Sequence, residues 1–111
     1  MIRSVSDIDS SLVRTECWIN LYRAGEYISP HRDVAGSIQL LIALVSADSE
    51  CGGIFIANIH GRKLEFLLAP GDGMLFEATT VEHYTTPLSP SQSNPEPRRM
   101  NAVMRFYFAM A

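Results

Sequence analysis

From residue 15 onward, apolar and polar positions alternate in short runs broken by Gly and Pro. That is the period-two signature of strands, not the 3.6-residue period of helices. The runs fall at 16–22, 37–45, 53–59, 63–68, 73–77, 83–87 and 100–109. Ahead of them, Ile8, Leu12 and Val13 are spaced as on a helix behind capping-type Ser and Asp residues, so residues 1–14 predict at most a short N-terminal helix. Ile59-His60-Gly61-Arg62 reads as a tight hairpin turn, and Pro70-Gly71-Asp72-Gly73 as a turn feeding the next strand. The expected class is all-β, an antiparallel sandwich or barrel. Residues 88–98 are polar and Pro-rich without periodicity; they read as a loop, either a lid or a disordered segment, with disorder the plainer expectation.

The last run has two unlike faces. Met100, Ala102, Met104, Phe106 and Phe108 form an apolar one, while Arg99, Asn101, Val103, Arg105 and Tyr107 form the other. Pattern alone puts the polar face in water. The alternative is that it looks into a pocket and binds a dicarboxylate, for which the planar, permanently charged fork of arginine is suited. Arg99 and Arg105 lie roughly 20 Å apart along an extended backbone, at about 3.3 Å per residue, so two inward-leaning side chains can reach both ends of a short diacid. In the first run, Asn20 and Tyr22 share a face with Trp18, opposite Ile19 and Leu21. Buried Asn and Tyr need polar partners, which a carboxylate ligand would supply.

Between these runs lies His31-Arg32-Asp33, behind a Gly-containing turn and a Pro. Side chains two apart on an extended backbone point to one side, so His31 and Asp33 can offer an imidazole and a carboxylate to one metal. A second imidazole completes the two-histidine, one-carboxylate set that holds iron(II) on one face and leaves positions open. His83 is the candidate. Of the other two histidine-adjacent features, His60 belongs to a turn and is expected to be exposed, and Glu82 points away from His83's face.

Composition narrows the partners. At 111 residues the chain is long enough for one domain, 1–111, with a core and little else. The net charge of −3 comes without a Lys/Arg cluster, which disfavours nucleic acid as a partner. No apolar run is long enough to span a membrane and the first residues are too polar for a secretory signal, so a cytoplasmic location is the default expectation. Cys17 and Cys51 lack any paired spacing and are expected to be free, buried thiols.

Taken in order, Asn20 and Tyr22, His31 and Asp33, His83, then Arg99, Asn101 and Arg105 resemble the motif set of the 2-oxoglutarate- and iron(II)-dependent oxygenases. In detail the set looks similar to the AlkB-like branch. Gly52-Gly53 and the segment 70–76 are also similar to stretches of prolyl-hydroxylase-like and small-molecule oxygenases.

The resemblance implies a double-stranded β-helix, or jelly roll, with iron held by His31, Asp33 and His83 and O2 as co-reactant. It implies that Arg99, Asn101 and Tyr22 bind the distal carboxylate of 2-oxoglutarate, with Arg105 and Asn20 near its metal-chelating end. Succinate and CO2 are then released as a substrate is oxidised. Asp33 stands where halogenating relatives carry a small residue, which favours hydroxylation. The expected substrate is a small or amino-acid-like molecule, with Trp18, Arg32, Tyr84 and Tyr107 as candidate pocket residues. Oxidative demethylation of alkylated nucleic acid and a non-catalytic ligand-binding jelly roll remain as alternatives. The sequence shows few of the helices that buttress this fold in relatives, so either its outer sheet has other cover, for example by self-association into a homo-oligomer, or the sequence is a fragment.

Overall fold

The computed structural model describes residues 13–33 and 38–108. The helix expected in residues 1–14 lies outside them, except that residues 13 and 14 begin the first strand. Seven strands follow among the described residues: β1 (Val13–Tyr22), β2 (Ile38–Val45), β3 (Phe55–Ile59), β4 (Arg62–Phe66), β5 (Gly73–Phe76), β6 (Glu82–Thr85) and β7 (Arg99–Phe108). Each lies within a few residues of an expected run. They form two antiparallel sheets, ordered β1-β7-β2-β5 and β4-β3-β6. The architecture is the all-β jelly roll expected.

Local chemistry explains the joints. His60 and Gly61 both take positive φ, 52° and 78°, between the paired Ile59 and Arg62, the geometry that lets a two-residue turn follow the twist of its strands. Gly71 (φ 93°) turns the chain into β5, and the Asp72 carboxylate accepts from the Ala69 amide at 3.0 Å to close that turn.

The sheets face each other across a core of Leu41, Phe55, Ala57 and Val103, with Trp18, Phe66, Met74 and Phe76 packed around it. Burying Phe55 contributes about 2–3 kcal/mol before entropy is counted. A second cluster joins Tyr22, Cys51 and Leu88.

That second cluster corrects the expectation for residues 88–98. Leu88 is buried, its amide donates to the Glu26 carbonyl, and the Gly25 and Ser89 amides donate to the Leu88 and Cys51 carbonyls. Ser91 and Asn94 bond each other through their backbones, and Pro97 is buried. The segment is a folded connection pinned under Tyr22, because Leu88 supplies an apolar anchor that composition alone hides. Cys51 is a buried free thiol as expected, whereas Cys17 is exposed, since it lies on the outward face of edge strand β1.

Candidate metal and diacid site

The site begins where the chain leaves β1 and runs back along β6. His31 and His83 exchange backbone hydrogen bonds of 3.1 and 2.9 Å, and the Thr85 amide donates to the Ile28 carbonyl at 3.1 Å. The Thr85 hydroxyl accepts from the Ile28 amide, and the Asp33 amide donates to the Ala78 carbonyl. Residues 28–33 are thus held as an extra strand-like edge. Backbone pairing, not side-chain packing, sets the height of His31 opposite His83.

The three candidate ligands come together. Asp33 Oδ1 lies 3.3 Å from His31 Nε2 and 3.4 Å from His83 Nε2, and all three donor atoms fall within 4.8 Å of one another. Ligands about 2.1 Å from one ion at near-right angles stand about 3 Å apart, so the spacing fits a divalent transition metal. The tautomers fit as well. His31 Nδ1–H donates to the Ser29 carbonyl at 2.7 Å and His83 Nδ1–H to the Val81 carbonyl at 2.8 Å, which leaves both Nε2 lone pairs facing Asp33. Burial among Phe55 and Phe76 holds His83 below its ordinary value, favouring the neutral ring a metal needs.

Asp33 has its other oxygen occupied. Arg105 Nη2 donates to Oδ2 at 2.7 Å, leaving Oδ1 to the imidazoles. Arg105 also donates to the Tyr107 hydroxyl at 3.4 Å and lies 4.8 Å over the Trp18 ring. Burial alone would depress Arg105; the Tyr107 bond and the Asp33 carboxylate more than offset it and raise it.

At the far end of β7, Arg99 and Asn101 are buried, at 7% and 1% exposure. Register places Arg99 beside Tyr22 and Asn101 beside Asn20, and the Arg99 guanidinium lies 5.2 Å over the Tyr22 ring. Among the described residues Arg99 Nη1 and both polar atoms of the Asn101 amide find no hydrogen-bond partner. Burial lowers Arg99, with the Tyr22 phenol opposing, and burial raises Tyr22, so the phenol keeps its proton. A buried cation with an unpartnered Nη1 and a buried amide have the chemistry to bind a carboxylate.

A cavity of about 140 Å³ lies between the sheets. Trp18, Asn20, Tyr22, His31, Asp33, His83, Tyr84 and Arg105 border it as the sequence suggested. Four candidates do not border it: Arg99 and Asn101, register neighbours of the bordering Tyr22 and Asn20, and Arg32 and Tyr107. Arg32 is exposed with its Nε donating to the Thr80 carbonyl, because it faces away from its neighbours on the extended segment. Tyr107 lies beyond the cavity wall and touches it only through Arg105. Gln39 and Thr85 also border the cavity and were missed. Each carried a signal: Thr85 is two residues beyond His83, and Gln39 is the lone polar residue in the run of β2.

The fold has close counterparts among solved structures. A Pseudomonas putida prolyl-4-hydroxylase superposes with a TM-score of 0.74 at 18% identity, covering 86% of this chain and 53% of that one. An oxidoreductase of the 2OG-Fe(II) oxygenase family from Burkholderia pseudomallei gives 0.68 at 21%, covering 86% and 44%. The collagen prolyl hydroxylase of Paramecium Bursaria Chlorella virus-1, in its 2OG complex, gives 0.69 at 15%, covering 98% and 67%. Cupin domains match as well. The chain therefore spans about half the length of the first two structures. The likeness supports the fold of the 2-oxoglutarate/iron(II) oxygenases and cupins and gives no support to the AlkB-like branch in particular. No family model matches the chain, and no curated protein does. Among the described residues no helix is long and apolar enough to cross a membrane.

Proposed function

We propose that this chain carries the core of an iron(II)- and 2-oxoglutarate-dependent oxygenase that hydroxylates a small or amino-acid-like molecule. One observation carries the reading: two Nε2 atoms and one carboxylate oxygen converge at the cavity, and Arg99 and Asn101, register neighbours of Tyr22 and Asn20 in its wall, carry buried polar atoms without partners among the described residues. The fold likeness to prolyl hydroxylases supports the same class.

His31, Asp33 and His83 would hold the metal. Arg99, Asn101 and Tyr22 would take the distal carboxylate of the diacid, with Asn20 toward its other end and Arg105 acting there through its hold on Asp33. The chemistry supplied by bound iron(II) and 2-oxoglutarate is oxidation of a C–H bond by O2, with release of succinate and CO2. The chain's own part is to position. Ser29 and Val81 carbonyls fix the imidazole tautomers, and Arg105 restricts Asp33 to one free oxygen. Phe55 and Phe76 keep water from His83.

Anaerobic titration with iron(II) and 2-oxoglutarate tests this. A weak visible charge-transfer band is expected; its absence from folded protein overturns the reading. The cupin matches favour a second reading, a ligand-binding module without turnover. Succinate release in air, measured over a panel of amino-acid-like compounds, separates the two.

A further inference from the structure

The carboxylate reading leaves two buried polar atoms unused at the metal end of the cavity. One is Gln39 Oε1, on a residue only 5% exposed that borders the cavity; the other is Arg105 Nε. Among the described residues neither has a hydrogen-bond partner. They are neighbours, because the β2–β7 register sets Gln39 opposite Arg105. On its other side Gln39 pairs with Phe76 of β5. Arg105 grips Asp33 and Phe76 packs edge-on against His83 at 5.0 Å, so Gln39 sits between the supports of two candidate ligands.

A buried acceptor without a donor costs about 1–3 kcal/mol, and a leucine would fill the same space without that cost. The arrangement therefore points to a ligand. An acceptor and a donor side by side complement a group that presents a donor and an acceptor side by side. A carboxylate offers acceptors only. An extended residue flanked by amides offers both on one side: its own carbonyl can accept from Arg105 Nε while its own N–H donates to Gln39 Oε1.

We propose that Gln39 and Arg105 Nε form a second polar subsite in the cavity, which takes the main-chain N–H and C=O of one amide-flanked residue of the primary substrate. The inference rests on the oxygenase reading and narrows its substrate class to blocked or carrier-linked amino acids and peptides. Trp18, the chain's single tryptophan, borders the same cavity and reports on it by fluorescence.

The test loads the protein with manganese(II) and 2-oxoglutarate and titrates N-acetylalanine methylamide, following Trp18 emission. Saturable binding is expected. It should weaken about 10-fold in Gln39→Leu, where the acceptor is lost, and less than about 3-fold in Gln39→Glu, where it is kept. The 2-oxoglutarate affinity of both variants, measured separately, should match the parent within about 2-fold, which also shows that they fold. Binding that is unaffected by Gln39→Leu overturns the subsite. So does a parallel loss of 2-oxoglutarate affinity, which would move Gln39 into the diacid site. Preference for N-acetylalanine with a free carboxylate, abolished by Gln39→Glu, overturns the amide assignment, as does a parent protein without a saturable response. The underlying oxygenase reading fails on a different signal, the absence of 2-oxoglutarate binding by the parent protein.

Discussion

The two faces of β7 reverse the usual rule. Its polar face, Arg99, Asn101, Val103 and Arg105, turns inward, and Asn101 and Val103 are each 1% exposed. Its apolar face, Met100, Ala102, Met104 and Phe106, is only partly covered, next to outward-facing Ile19 and Leu21 of β1. Hydrophobicity did not choose the orientation of this strand. On the function proposed above, the inner side of the sheet is a binding surface, where buried polar groups cost stability and are kept because a ligand can satisfy them.

Arg99 offers the sharpest way to break that contrast. Among the described residues no carboxylate pairs with it and its Nη1 has no partner, so Arg99→Met removes a buried cation that is not fully satisfied. Apo stability should rise by about 1–3 kcal/mol in urea melts, while affinity for 2-oxoglutarate falls about 100-fold by calorimetry with manganese(II). A variant that loses stability and keeps affinity would place the diacid elsewhere.

The next effect concerns what roofs the polar face. Gly52 and Gly53 take φ of 73° and 68°, and a Cβ on Gly52 would lie 2.6 Å from the Pro87 carbonyl oxygen. On Gly53 it would meet Leu88 at 2.7 Å and the Arg99 stem at 3.5 Å. Backbone cannot yield as a side-chain tip can. Gly52→Ala should therefore cost at least about 2 kcal/mol and loosen the 88–98 connection, read by urea denaturation and amide exchange at Leu88.

How far all this was legible depends on range. Strand runs follow from local alternation, and the hairpin at His60-Gly61 from local turn chemistry, so both could be read residue by residue. The pairing of His31 and Asp33 with His83 was also within reach, because two of the three groups are adjacent on one extended segment. Which face of β7 turned inward was not, since alternation is symmetric until a partner sheet exists. Tyr107 shares the inward face of Arg105 yet stops short of the cavity, a matter of distance along the strand. Residues 88–98 looked disordered because their order comes from contacts with Gly25, Glu26 and Cys51, all more than 35 positions away in sequence.

His83 gives a smaller, signed effect. Burial first, with His31 and Arg105 adding to it, holds the imidazole below its ordinary 6.5, against the opposing Val81 bond and Asp33. Below that pH the unfolded chain binds a proton that the folded one refuses. Stability is therefore full above 6.5 and falls as pH drops toward the folded value. Urea melts of metal-free protein at pH 7.5 and 5.5 should show this loss, and His83→Gln should flatten it; an equal pH dependence in both would show that the slope does not come from His83.

The smallest effect tests the outer side of the same sheet. Ile19 is 62% exposed and Leu75, across the sheet on β5, is 65% exposed, so neither apolar side chain gains much from folding. If the monomer alone sets stability, Ile19→Lys should change it by no more than about 0.5 kcal/mol and leave 2-oxoglutarate affinity unaltered. A larger loss that grows with protein concentration would mean that the apolar face is covered by a second copy in solution, because mass action makes an oligomer's stability depend on concentration and a monomer's does not. Melts of parent and variant at two concentrations tenfold apart decide between a face that tolerates water and one that is buried only on assembly.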